Sequence, residues 1–152
     1  ERCLPKGDKN RNDTHVLEAF IWPLCEMWIL QLSQFIAPGD SVEAEKYEEE
    51  IQFFDIAFFW ICLDGHIASL FPHHPWLEKK GSRYIDVRHS PKPPENRISL
   101  SVSGVQIPFI CLFAVGETKK EALASFLDDS IDVSDCPAKL LKPEILFTDI
   151  QS

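Results

Sequence analysis

Residues 51–72 read IQFFDIAFFWICLDGHIASLFP, and their reading sets the expected fold. The run is rich in aromatic and β-branched residues, which fit a pleated, half-buried surface. Asp64-Gly65 interrupts it between two apolar halves. An Asp-Gly pair in that setting is a strong hairpin signal, because both central residues of a type I′ turn need positive φ and these two types tolerate it. Strands are therefore expected near residues 53–63 and 66–71. From Phe58 to Leu63 both alternating sets of side chains are apolar, which predicts a central strand covered on both faces. Pro72 and Pro75 close the pair.

Downstream, residues 79–97 are locally basic, with Lys79, Lys80, Arg83, Arg88, Lys92 and Arg97. One strand over residues 83–89 fits there, and SPKPPEN after it is a surface loop, since proline cannot donate to a ladder. Ile98, Leu100 and Val102 alternate with Ser99, Ser101 and Ser103, a strand with one wet face. Ser103-Gly104 is read as the turn of a hairpin that returns over residues 105–115. Residues 117–129 form a helix with Ala122, Leu123, Phe126 and Leu127 inward, and residues 144–150 form a last strand.

Upstream, residues 16–36 come close to the length of a membrane span, but Glu18 and Glu26 interrupt them. A carboxylate at a bilayer centre costs on the order of 2.5–3.5 kcal/mol. The segment is expected to be a long core helix, kinked or restarted at Pro23 and stopped by Pro38-Gly39. Asp40 with Glu43 has the spacing of a capping box for a short acidic helix up to Glu50. Consecutive strands joined by tight turns are antiparallel. The expected class is α+β: an antiparallel sheet of about five to six strands packed against a long kinked N-terminal helix, a short acidic helix and a helix in the C-terminal half. Residues 1–13 form a polar N-terminal segment, and residues 14–152 a single domain. The chain begins at Glu1 rather than Met, which suggests a trimmed or processed chain or one domain of a longer one.

The 152 residues hold 24 Asp or Glu against 15 Lys or Arg, a net charge of −9 and a pI of 4.9. A hydrophobic fraction of 45% with 11 Phe and 4 Trp excludes a disordered chain, which is poor in aromatics. The acidic balance argues against nucleic acid as a partner, because phosphate binding draws on Lys and Arg. Five scattered cysteines without a Cys-x-x-Cys pair match neither a disulfide framework nor a zinc ribbon, and point to a reducing, cytoplasmic compartment without membrane contact.

No Walker loop, dinucleotide glycine fingerprint, His-Glu-x-x-His or Gly-x-Ser-x-Gly is present. No metal or other cofactor is expected; His66, His73, His74, Cys62 and Asp64 lack ligand spacing. Cys62, Asp64 and His66 stand at alternate positions and have the residue types of a nucleophile, an acid and a base, but the Asp-Gly turn separates them. The stretch ICLFAVGETKKEALASFLDDSI, 22 residues of the chain, resembles the strand, turn and helix of the HicB family of acidic antitoxins. Gly116, Glu117, Thr118, Glu121, Ala122 and Leu123 match its Gly-Asp-Thr-x-x-Glu-Ala-Leu form. Thr118 is a candidate N-cap with Glu121 as its capping-box partner.

The expected function is a non-enzymatic protein-binding module, a small acidic inhibitor of immunity-protein or antitoxin type that occludes a basic partner. Its partner-binding residues are Glu43, Glu45, Glu48, Glu49, Glu50, Asp55, Asp128 and Asp129. Two alternatives stand beside it: a scaffolding domain from a larger assembly, and an enzyme with a pocket among Trp60, His66, His73, His74 and Trp76.

Overall fold

The computed structural model describes every residue except Ser41, Val42, Gln52, Lys80 and Ser152. Parts of the acidic segment (Ser41, Val42), Gln52 of the opening stretch and Lys80 of the basic one therefore lie outside the described residues.

The apolar run after Asp55 forms strand β1 (Ile56–Trp60). Its partner is not the segment beyond Asp64-Gly65 but β4 (Phe109–Ala114), paired parallel, with Ile56 opposite Phe109 and Trp60 opposite Phe113. Strand β5 (Ile145–Thr148) joins the other side of β4, again parallel. The sheet order is β1-β4-β5. Parallel neighbours need a crossover, and α4 (Lys120–Leu127) supplies it between β4 and β5. A separate antiparallel pair is made by β2 (Tyr84–Val87) and β3 (Arg97–Leu100).

The expected α+β class with an antiparallel sheet of five to six strands is thus corrected to an α/β architecture built on a parallel sheet. The error lies in the two turns. At Asp64-Gly65 only the glycine has positive φ, +76°, so the chain leaves β1 in a loop instead of a type I′ hairpin. At residues 101–104 the chain does turn, with Ser101 Oγ accepting the N–H groups of Ser103 and Gly104 at 3.1 and 3.0 Å. Gly104 is needed there, because a Cβ would sit 2.0 Å from the Arg83 carbonyl oxygen. Yet the strand that follows pairs with β1 and β5, not with β3.

The core lies on one face of the parallel sheet. Phe59, Ile61, Ile110, Leu112 and Ala114 meet Ala122 and Leu123 of α4, together with Ile85, Val87, Val105 and Cys136. The other face carries a ladder of aromatics. Trp60 stacks on Phe113 at 5.0 Å between ring centres, and Phe113 on Phe147 at 4.8 Å. This face is open, with Trp60 60% and Phe147 44% exposed. The expected central strand covered on both faces is corrected: among the described residues β1 is an edge of the sheet, and its second face stays more than half exposed at Phe58 and Trp60.

The expected long core helix is also corrected. A helical stretch runs through α1 (Asn12–Val16), a π-type turn (Leu17–Ile21) and α2 (Trp22–Glu26). The wide turn precedes Pro23, which has no N–H to give to the preceding turn. The stretch stops at Glu26, well before Pro38-Gly39. Trp28 N–H bonds to Cys25 O, Ile29 N–H bonds to Leu24 O, and Trp28 takes φ +59°, which together make a Schellman C-cap. Of its apolar side chains only Ile21 is buried, while Phe20, Trp22 and Met27 face outward. A hydrophobic stripe shows that a face calls for burial, not that a partner is present.

Acidic α3 (Ala44–Glu50) forms, but Asp40 does not cap it. Asp86 of β2 accepts the Ala44 N–H at 2.8 Å instead, and Tyr47 packs edge-on against Tyr84 at 5.4 Å. Likewise α4 starts without the Thr118 cap, after a 3₁₀ turn over Glu117–Lys119. The first residues are tied in as well. Arg2 bridges to Arg97 and Ile98 N–H donates to Glu1 O. Arg11, fully buried, forms a bidentate pair with Asp13 at 2.7 and 2.6 Å and donates to the carbonyls of Leu4 and Pro38. Among the described residues no helix is long and apolar enough to cross a membrane.

Candidate functional site

The site grows from the loop that ends β1. Ile61 still pairs through its N–H with Phe113 O, and Cys62 N–H then bonds to His66 O, closing a tight loop over residues 62–66. Gly65 makes the turn, and its carbonyl accepts from Ala138 N–H at 2.9 Å. The loop brings Asp64 and His66 together: Asp64 Oδ1 lies 2.5 Å from His66 Nδ1. The other carboxylate oxygen, Oδ2, lies 2.6 Å from Lys92 Nζ. Burial works to raise the Asp64 carboxyl, but the Lys92 ammonium and the His66 ring outweigh it and hold its pKa at about 2. Burial is the largest influence on His66 and lowers its pKa below the ordinary value. Asp64 pulls it up, while Lys92 and Arg97 push it down. At neutral pH the ring is therefore uncharged and its partner ionised. Nδ1–H donates to Asp64, which leaves the lone pair on Nε2. His66 is only 5% exposed, and its ring packs on Phe71 at 4.3 Å.

A cavity of about 640 Å³ opens beside this pair. His66, Cys62, Ser69 and Ser99 line one part of it, and Glu1, Arg2, Asn12 and His15 another, with Arg97 and Trp60 also on its wall. The Glu1 carboxylate is occupied by the N–H groups of Asn12 and Asp13, at 2.9 and 2.7 Å, and so orients the start of α1 beside the cavity. Burial raises the Cys62 thiol above its ordinary pKa, so it is protonated and a poor nucleophile. Of the alternating Cys62, Asp64 and His66, the acid and the base meet and the thiol takes no part.

The pocket among Trp60, His66, His73, His74 and Trp76 is only partly assembled. Trp60 and His66 reach the cavity, but His73 pairs with Asp135 at 3.2 Å, and His74 stacks on Trp76. Sequence reading overlooked Lys92, Arg97, Arg2, Asn12 and His15, all distant from the loop in sequence. The one available signal was the locally basic segment that carries Lys92 and Arg97. Among the described residues no three His, Cys, Asp or Glu gather as a metal site.

The acidic residues named as partner-binding lie on several segments. Glu43 pairs with Lys46 at the start of α3. Glu48 accepts the Arg83 N–H at 2.8 Å, while Glu45, Glu49 and Glu50 are exposed on the same helix. Asp55 is exposed just before β1. Asp128 caps its own turn by accepting from Ser130 N and Oγ, with Asp129 exposed beside it.

A parallel α/β sheet with a largely apolar cavity and an acid–base pair just past a strand's carboxyl end is the layout of a small-molecule enzyme, since ligands bind at that edge of such sheets and such pockets are mostly apolar with a few polar groups. The family description "Glucosamine-6-phosphate isomerases/6-phosphogluconolactonase" matches residues 1–148, and the chain belongs to that family. A 6-phosphogluconolactonase of Borreliella burgdorferi is 32% identical, over 93% of this chain and 65% of its own length. That of Streptomyces coelicolor is also 32% identical, over 88% of this chain and 58% of its own. The chain thus spans somewhat under two thirds of these relatives. The crystal structure of the Thermotoga maritima 6-phosphogluconolactonase superposes with a TM-score of 0.79 at 20% identity, covering 97% of this chain and 69% of that one. These findings overturn the expected inhibitor of immunity-protein or antitoxin type and its basic protein partner. The local likeness to HicB reflects strand-to-helix chemistry that a parallel βαβ unit shares.

Proposed function

We propose that the chain carries the hydrolytic centre of a 6-phosphogluconolactonase, opening the ring ester of a phosphorylated sugar lactone. The observation that carries this reading is the Asp64–His66 pair at 2.5 Å, with Asp64 ionised and His66 neutral, beside the cavity. The names of the curated relatives supply the substrate. A neutral imidazole whose Nδ1–H is held by a carboxylate has Nε2 free to take a proton from water. The resulting hydroxide adds to the lactone carbonyl carbon. The tetrahedral oxyanion then collapses, the bond from that carbon to the ring oxygen breaks, and the proton on His66 passes to the departing oxygen. One water is consumed, and a hydroxy acid leaves. Arg2 on the cavity wall brings the positive charge that a phosphate calls for in a chain of net charge −9. Five free cysteines, two of them buried, support a reducing, cytoplasmic setting.

The test is acid release from 6-phosphogluconolactone in a pH-stat, against the spontaneous rate. His66→Gln should lower kcat by about 10²- to 10⁴-fold, the usual worth of a general base. A wild-type chain that leaves the spontaneous rate unchanged, or that converts glucosamine 6-phosphate instead, sinks the reading.

A further inference from the structure

We propose that Arg97 and Lys92 are positioning residues for the acid–base pair: Arg97 clamps the loop that carries Lys92, and Lys92 fixes the Asp64 carboxylate that in turn orients His66 and sets its proton affinity. The inference deepens the lactonase reading, and only its kinetic arm rests on it.

The chain of contacts is continuous. Arg97 opens β3 and is 7% exposed. Its Nε donates to Pro94 O at 3.1 Å, and one terminal nitrogen donates to the carbonyls of Lys92 and Pro93, each at 3.0 Å. Ser90 Oγ donates to the same Lys92 carbonyl at 2.8 Å, and Ser90 N–H closes the loop on Glu95 O. The Lys92 backbone is thus held from two sides, which fixes the root of a side chain that is otherwise flexible. Its ammonium meets Asp64 Oδ2 while His66 takes Oδ1. A carboxylate engaged through both oxygens cannot swing away from the imidazole. A second route runs through packing: the Arg97 guanidinium lies over the Phe71 ring at 5.4 Å, and that ring touches His66.

Arg97 forms no ion pair with a carboxylate among the described residues, and its bonded nitrogens point at neutral carbonyls. A buried cation of this kind has two possible employments, a clamp on the loop or an anchor for the substrate's phosphate. They predict different things about the empty protein. The charges acting on His66 are Asp64 from its own loop, Lys92 from the loop before β3, and Arg97 from β3 itself; Cys62 beside them is a neutral thiol. Removing Lys92, or releasing the loop that holds it, takes a repelling cation from His66 and leaves the Asp64 charge undivided. Both changes make the imidazole more basic.

The experiment follows the His66 ring by ¹⁵N-edited NMR across pH in the free chain, assigned by the loss of its signals in His66→Gln. Lys92→Met and Arg97→Lys should both move the titration upward. Arg97→Lys keeps the charge at position 97, so its shift reads the clamp alone. Lys92→Arg should restore the wild-type midpoint. In the pH profile of lactone hydrolysis the acid limb of kcat should move with the NMR midpoint. If Arg97→Lys leaves the midpoint in place and raises only KM, Arg97 anchors substrate and the proposal fails. It also fails if Lys92→Met, a change at a half-exposed side chain that leaves the core intact, does not shift the midpoint. A chain without lactonase activity would refute the functional reading, while the NMR titration would still decide this one.

Discussion

At Gly65, φ is +76°, and a Cβ would meet Cys136 Sγ at 3.0 Å and Cys136 Cα at 3.3 Å. Gly65→Ala therefore combines left-handed strain with a contact against backbone, and should cost about 1–3 kcal/mol, measured as a lower urea midpoint. Lactone hydrolysis should fall further than stability does, because the displaced residue lies between the acid and the base. The two titrating groups give the protein a two-step loss of stability in acid. His66 has a lowered pKa in the fold, so the unfolded chain takes up a proton first, and stability starts to fall below about pH 6.5. Asp64 is held at about 2, so its contribution is complete above about pH 4 and is lost as pH falls toward 2. Asp13, kept below its ordinary value by Arg11 against the opposing effect of burial, adds to the second step. Urea midpoints between pH 8 and 2 should show both, with Asp64→Asn flattening the lower one. Asp64 and His66 stand at alternate positions in the sequence, but the Asp-Gly turn was read as separating them, whereas the loop brings them together. Lys92 and Arg97 were not legible, because their role depends on a loop that reaches the pair only after the chain has folded.

At the scale of elements, local patterns announced that structure would form but not what it would pair with. The apolar stretch at residues 56–60 is a strand and residues 120–127 a helix, as periodicity and β-propensity suggest. The helix expected to reach Ile36 ends instead at Glu26, where Trp28 takes a conformation that glycine occupies far more cheaply. Trp28→Gly should raise stability by up to about 1 kcal/mol, after subtracting the greater freedom glycine gives the unfolded chain; thermal denaturation would show it as a higher Tm. The cap of α3 was illegible for a related reason, since its acceptor, Asp86, belongs to β2 and not to the residues just before the helix.

For the whole molecule, the choice between parallel and antiparallel pairing decided everything else, and no local signal carries it. The same residues make either sheet; only the distant meeting of β1 with β4 distinguishes them. That sheet leaves Phe58, Trp60 and Phe147 open to solvent, whereas parallel sheets are as a rule covered on both faces. A contiguous apolar face of this kind binds amphipathic dyes. The chain should enhance the fluorescence of an anilinonaphthalene dye under native conditions, and Trp60→Thr combined with Phe147→Thr should remove most of that signal while leaving the buried core intact. The pairing of Ile56 with Phe109 has a consequence in time as well. During synthesis β1 leaves the ribosome about fifty residues ahead of β4, its partner among the described residues, and at roughly 5–20 residues per second the edge that meets β4 waits several seconds unpaired. Over that interval the nascent strand is open to chaperones and to premature self-association.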